Sequence, residues 1–303
     1  MQAMLADVID SQELWHGQSL ENGLVAAGMD QSHLALFPPG HARHAGQRIV
    51  CAAAMDKSIL IAAPRWITTF PTDFILKSSG SDTQTSDIAA SLSTFSRSVL
   101  NLTIKPHATG PTISVYVCHF KSRGPTPIYT EVWHDKPLHS RHAEALGGAL
   151  STIRRTAEAT ALRMILTQKM KDTDTPVVVI GDCNDGQQSN MNILTGQPLF
   201  LTALSEGGVD TDLYTAQTLQ QYRSQTDVYY THIYNDRPES LDHILVSQEF
   251  YDNSRKRIWA CDGLEIGNDH PNSTDHKDSG TGDRGVVRAR VQIQTGQGDS
   301  GIG

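Results

Sequence analysis

Apolar runs in this chain are short, and several stop abruptly at a carboxylate, an amide or an imidazole. The clearest is Val177-Val178-Val179-Ile180, which shows no polar alternation and leads straight into Gly181-Asp182-Cys183-Asn184-Asp185. A strand that is apolar on both faces is covered on both sides, so the run predicts a central strand of a layered fold. Gly181 lets the backbone turn closely, and in an extended segment Asp182 and Asn184 point the same way and can address one reacting centre. The plainer reading is a strand ending in an Asx-rich turn.

Other segments follow the same plan. Residues 112–120 alternate and place His119 on the face of Ile113, Val115 and Val117, with Lys121 and Ser122 immediately beyond. A cation and a hydroxyl at that point suit phosphate oxygens. Asp242 and His243 lead into Ile244-Leu245-Val246, and Gly282-Asp283-Arg284-Gly285 precedes a strand with Val287, Ala289, Val291 and Ile293 on one face. Shorter strands are predicted over 48–51, 58–62, 66–70 and 98–104, the last as a neighbour of the His119 strand. A helix is predicted over 151–170, with Ile153, Ala157, Ala161 and Met164 on its inner stripe and Leu162, Ile165 and Leu166 widening it. Gly147-Gly148 are expected to loosen anything earlier, and 172–176 to return the chain to the central strand. Short strands with intervening helices predict an α/β protein, one domain over 1–293, with a frayed Gly-rich tail at 294–303.

Composition sharpens this only slightly. Among 303 residues, 25 Lys and Arg face 33 Asp and Glu, a formal charge of −8 that argues against a general basic surface for nucleic acid. A bound divalent cation or a local cation cluster can still offset that field. Cys51, Cys118, Cys183 and Cys261 lack paired spacing and read as small apolar side chains or free thiols. No apolar run approaches the ~20 residues needed to span a bilayer, no secretory signal opens the chain, and the compartment is left unassigned. His41 with His44 and His139 with His142 have a spacing that seats zinc on a helical turn, which opens a zinc-hydrolase alternative; exposed loop histidines are the simpler reading. Arg154-Arg155 reads as a solvated helix face or as a pair reaching a phosphate, and 229–234 as an aromatic strand or a stacking surface.

Taken in order, five elements resemble the endonuclease/exonuclease/phosphatase superfamily, which includes deoxyribonuclease I. They are the strand ending in Gln12-Glu13, Val117-Cys118-His119-Phe120-Lys121-Ser122, Gly181-Asp182-Cys183-Asn184-Asp185, Leu241-Asp242-His243-Ile244-Leu245, and Asp283 with the strand after it. The resemblance implies a four-layer α/β sandwich, two packed mixed sheets flanked by helices. It also implies a divalent-metal-dependent phosphoester hydrolase, a phosphodiesterase or nuclease, acting by in-line attack of an activated water on nucleic acid or a small phosphodiester. By the same resemblance, Glu13 and Asp283 hold Mg2+ or Mn2+, and Asp182 with Asn184 orients or deprotonates the water. His119 and Asn184 then bind the non-bridging oxygens, and Lys121 and Ser122 bind substrate phosphate.

Two departures qualify the resemblance. The family's first strand, with its asparagine, has no counterpart; Met1 to Leu5 read as the tail of the helix after it, and another segment or a second copy of the chain is expected to complete the sheet. Arg284 stands where the family has its catalytic histidine, and an arginine stays protonated and cannot act as a general base. Asp242, which orients that histidine in the family, is then expected to face Arg284 as an ion pair; His270 or His276 serving as a substitute base is the less favoured alternative. The alternative function is a catalytically impaired phosphate- or nucleotide-binding protein on the same scaffold.

Overall fold

The structure is a computed structural model and describes residues 6–14, 16–40, 50–78, 87–186, 189–196, 211–224, 230–234, 237–267 and 285–293. In chain order these form β1 (Val8–Leu14), α1 (Gly17–Ala26), β2 (His33–Leu36), β3 (Val50–Asp56), β4 (Arg65–Thr69), β5 (Leu76–Ser78), β6 (Ile88–Ala90), β7 (Thr94–Ile104) and β8 (Ile113–His119). There follow α2 (Lys136–His139), α3 (Ala143–Met170), β9 (Val177–Asp182), α4 (Asn190–Thr195), β10 (Leu213–Thr215), α5 (Ala216–Arg223), β11 (His232–Tyr234), β12 (Arg237–Glu239), β13 (Asp242–Ser247), β14 (Trp259–Gly267) and β15 (Val286–Ile293).

The main sheet runs β10-β13-β9-β8-β7-β4, with β8 and β9 parallel and its other neighbours antiparallel; a second sheet runs β1-β3-β2, and β14 pairs with β15. Three apolar layers hold these parts together. On one face of the main sheet, Ala157, Ala161, Leu162 and Leu166 of α3 pack against Tyr116, Cys118, Val177 and Val179. On its other face, Leu100, Leu102, Val115 and Val117 meet Ala53 and Met55 of β3 and Trp259 and Cys261 of β14. Outside β3, Ala52 and Ala54 join Ile9 and the Leu20 and Leu24 side chains of α1. The order helix, sheet, sheet, helix is an α/β sandwich, and each fully buried Leu contributes roughly 1.5–3 kcal/mol of transfer free energy.

The solid apolar run behaves as its pattern demands. Val177 and Val179 are fully buried toward α3, while Val178 and Ile180 pack toward the second sheet. In β15, Ala289, Val291 and Ile293 share the inward face. All four cysteines are buried and free. No described helix is long and apolar enough to cross a membrane.

Three expectations are corrected. Residues 58–62 form a turn and a single bridge from Leu60 to Ile104, not a strand. The helix begins at Ala143 and passes straight through Gly147-Gly148. Gly147 is there for contact: a Cβ at this position would lie 2.3 Å from the Thr126 carbonyl oxygen, so the absence of a side chain lets α3 sit on that loop. The inner stripe of α3 also differs, because Ile153 is 44% exposed while the charged Arg155 and Glu158 are buried. Among the described strands none pairs with the outer edge of β1. Residues 1–5, where the helix tail was expected, and the tail 294–303 lie outside the described residues.

Candidate functional site

The pairing of β8, β9 and β13 brings three polar residues to one level. His119 stands opposite Asp182, and Asp182 opposite Asp242. His119 Nε2 lies 3.5 Å from Asp182 Oδ2, both side chains fully buried. The fourth residue arrives from the second sheet. The register of β1 against β3 shifts between Ser11 and Leu14, and Glu13 has a φ of 54°. A bulge of this kind re-aims a side chain, here toward the other strand ends. Ligand atoms of Glu13, His119 and Asp182 all lie within 4.8 Å of one another, a grouping that could hold a metal ion.

The tip of β9 depends on its glycine. Gly181 has a φ of +152°, and a Cβ there would fall 1.8 Å from the Cys118 carbonyl oxygen, so only glycine allows β9 to approach β8. The chain then turns. Asn184, at a φ of 51°, donates its backbone N–H to Asp182 Oδ1 at 2.8 Å, and its Nδ2 donates to the Phe120 carbonyl at 3.0 Å. The simple picture of alternate extended residues therefore gives way to an Asx-type turn, which still brings Asp182 and Asn184 together. Asp185 closes the loop, accepting from Gly186 N and Asn190 N, while its carbonyl meets His243 Nε2 at 2.8 Å. Burial holds the His243 imidazole below its usual range.

Residues that the motifs do not mark also converge here. Asp10, opposite Ala53 on β1, is bonded by the Gln12 amide, which also donates to the Cys118 carbonyl. Burial pushes the Asp10 carboxyl well above its usual value; the Gln12 bond opposes this, and the charges of Asp242 and Asp182 add to it. Arg97 of β7 is half-buried and donates to the Phe120 carbonyl at 3.1 Å, so one carbonyl oxygen receives both Arg97 and Asn184. Arg123 straps the turn from outside, donating to the Asn184 carbonyl at 3.1 Å and pairing with Glu239. The alternation of β7 carries the sequence signal for Arg97, a charge placed between Phe95 and Val99 on one face of the strand.

Lys121 and Ser122 sit just past the end of β8, and Lys121 Nζ donates to Ser122 Oγ and the Gly124 carbonyl at 3.2 Å each. Arg155 neither faces solvent nor reaches out for a phosphate: it is 6% exposed and donates to the Lys121 and Ser122 carbonyls. His139 and His142 join no group of potential metal ligands among the described residues. Asp283, Arg284, His270, His276, His41 and His44 lie outside the described residues. Gly285, next after Arg284, donates to the Thr231 carbonyl, and the Thr231 hydroxyl accepts the N–H of Leu241 and of Asp242.

An α/β sandwich with an imidazole, an amide and several carboxylates on adjoining strand ends is a scaffold for polar catalysis or anion binding. Residues 91–276 match the endonuclease/exonuclease/phosphatase family, and the chain belongs to it. The matched span holds His119, Asp182, Asn184 and Asp242, while Glu13, Asp283 and Arg284 fall outside it. No curated protein sequence gives a match. Among solved structures, the human Nocturnin catalytic domain with bound sulfate is similar at 15% identity and a TM-score of 0.53, over 95% of this chain and 81% of that one. D. rerio TDP2 complexed with a single-strand DNA product is similar at 14% identity and a TM-score of 0.51, over 94% and 86%. Truncated Caenorhabditis elegans TDP2 is similar at 9% identity and a TM-score of 0.51, over 97% and 88%. At these identities the likeness is one of fold.

Proposed function

We propose that the chain is a divalent-metal-dependent phosphoester hydrolase, a phosphodiesterase or nuclease that acts by in-line attack of water. The observation that carries this reading is the meeting of Glu13, His119 and Asp182 from three strands within 4.8 Å. Two carboxylates and an imidazole suit Mn2+, and Mg2+ where further oxygens complete the shell. Glu13 and Asp283 are the proposed ligands, with His119 and Asp182 bordering the same space. When bound, the cation polarises the phosphoryl group and offsets its charge.

The chain's own groups divide the remaining work. Asp182 has Oδ1 engaged by the Asn184 N–H, which fixes the carboxylate plane and presents Oδ2 beside His119. That oxygen orients the attacking water and takes its proton. One Nδ2 hydrogen of Asn184 is spent on Phe120, which leaves the amide oriented to give the other to a non-bridging phosphate oxygen. His119 contributes a second donor to the same oxygens, where charge builds up. Asp242 stands level with Asp182, and the Arg284 that replaces the family's histidine in the sequence can hold a phosphate but cannot relay a proton. General-base work therefore falls on Asp182. TDP2 appears with single-strand DNA product and Nocturnin with sulfate, and both fit a phosphate-binding role for this fold.

Hydrolysis of bis(p-nitrophenyl) phosphate tests the reading. We expect turnover with Mn2+ or Mg2+, loss with chelator, and a fall of about 100- to 10,000-fold in Asp182→Ala. Turnover indifferent to chelator or to that substitution contradicts the proposal. Arg284 is the one feature that favours the second reading, a phosphate- or nucleotide-binding protein, and saturable phosphate binding by wild type without turnover would establish it instead.

A further inference from the structure

We propose that Arg97, Lys121 and Arg154 form a second anion subsite, which takes a substrate phosphate other than the one cleaved; the inference rests on the hydrolase reading above. Three elements meet beside the strand ends: the start of β7, the loop after β8 and the middle of α3. Four cations come with them, Arg97, Lys121, Arg154 and Arg155, around the buried carboxylate of Glu158, with Asp182, Glu13 and Asp185 on the side of the strand ends.

The buried members of this group are already spent on the backbone. Glu158 is fully buried and accepts the N–H of Ser96 and of Lys121 at 2.7 Å each. Arg155 donates to the carbonyls of Lys121 and Ser122 at 3.3 Å each. The two side chains thus clamp Lys121 by both ends of its backbone, and Arg155 feels the charge of Asp185 as well as that of Glu158. What remains is an outer set of cations in which the guanidinium groups have donors to offer and Lys121 supplies charge. Arg154, partly exposed, makes one long contact of 3.5 Å among the described residues, to the Thr94 carbonyl. Lys121 is half-buried, its ammonium held by the Ser122 carbonyl and hydroxyl and the Gly124 carbonyl. Arg97 uses one N–H on Phe120 O, the same oxygen that holds Asn184, so the cations begin at the proposed cleavage point and run outward along α3.

Gathering like charges is unfavourable, and its mark is visible on Lys121. Burial, then Arg97 and Arg155, hold its ammonium below the usual lysine range, against the pull of Glu158. Arg97 also faces the charges of Asp182 and Glu13, and Arg155 that of Asp185, so the inner cations are balanced by the strand-end carboxylates, while Lys121 and Arg154 carry positive charge outward. In a chain with a formal charge of −8, that outer positive charge is a place for an external anion. Guanidinium forks match phosphate oxygens in particular. The substrate class is therefore one that carries a second phosphate near the scissile one. That phosphate is either joined directly, as in a diphosphate, or separated by a sugar, as along a nucleic-acid strand.

Inhibition of bis(p-nitrophenyl) phosphate turnover at fixed free Mn2+ tests this. Inorganic phosphate, pyrophosphate, and a thymidine bisphosphate with one phosphate on each sugar hydroxyl are compared in wild type, Arg154→Gln and Arg97→Gln. We expect at least one bisphosphate to bind about 10-fold more tightly than phosphate, and each substitution to shrink that ratio toward one. The better bisphosphate identifies the spacing. Parity of all three ligands in wild type overturns the subsite, as does a gain that survives both substitutions. Should wild type turn over no substrate, the hydrolase reading fails by itself; calorimetric binding of the same three ligands still decides the subsite by the same ratio.

Discussion

β9 and β1 each deliver a carboxylate to the same small space by opposite means. Asp182 ends a strand paired on both sides, is fully buried, and is held level with His119 and Asp242 by regular register. Glu13 ends an edge strand, is exposed, and points inward only because the chain bulges and adopts a positive φ. A non-glycine residue in that conformation costs on the order of 1–3 kcal/mol, which the surrounding structure must offset. Placement by register keeps Asp182 itself in regular strand and leaves the positive φ to Asn184 in the turn beyond it, whereas placement by a bulge puts the positive φ on Glu13, the proposed cation ligand itself. The site thus joins a stiff half to a sprung half.

The largest effect should come from breaking the stiff half at its closest approach. Gly181→Ala forces a Cβ against the Cys118 carbonyl and a conformation unsuited to alanine. We expect a stability loss of about 3 kcal/mol or more in chemical denaturation. A loss below about 1 kcal/mol would mean that β8 and β9 are not in this contact.

A smaller effect of opposite sign is expected on the sprung half. Asp10 lies on the same strand as Glu13 and has its carboxyl raised by burial and by the charges of Asp242 and Asp182. The folded state then binds more protons than the unfolded chain, whose aspartates titrate near ~3.9. Asp10 consequently lowers stability as pH climbs from that value through its raised folded value. Asp10→Asn should remove this limb and raise neutral-pH stability by about 1–2 kcal/mol in chelator-treated protein. Urea midpoints that follow the same pH course in both proteins would contradict the enclosure of Asp10.

This contrast also explains what could be read from the chain. The solid run 177–180, the alternation before His119 and the inward face of 287–293 each report burial on known faces, and burial is what fixes strand position. His119, Asp182, Asn184 and Asp242 were legible because they end such strands. The bulge at Glu13 leaves no periodic trace, and its residue came from family resemblance rather than from pattern. Gly147 was misread because a helix-weakening residue and one needed for close contact are the same letter. Arg155 and Glu158 sit on the buried face of α3 with their side chains bonded to backbone groups of the neighbouring segments, which a count of apolar positions passes over. Arg97 and Asp10 act through neighbours remote in sequence, so their environment exists only once the sheets have packed.

Calorimetric titration of Mn2+ into chelator-stripped protein asks whether Glu13 and the strand ends make one cation-binding centre. A single class of site is expected in wild type, with an affinity that falls at least about 10-fold in Glu13→Gln. Binding of equal strength in the two proteins would contradict it.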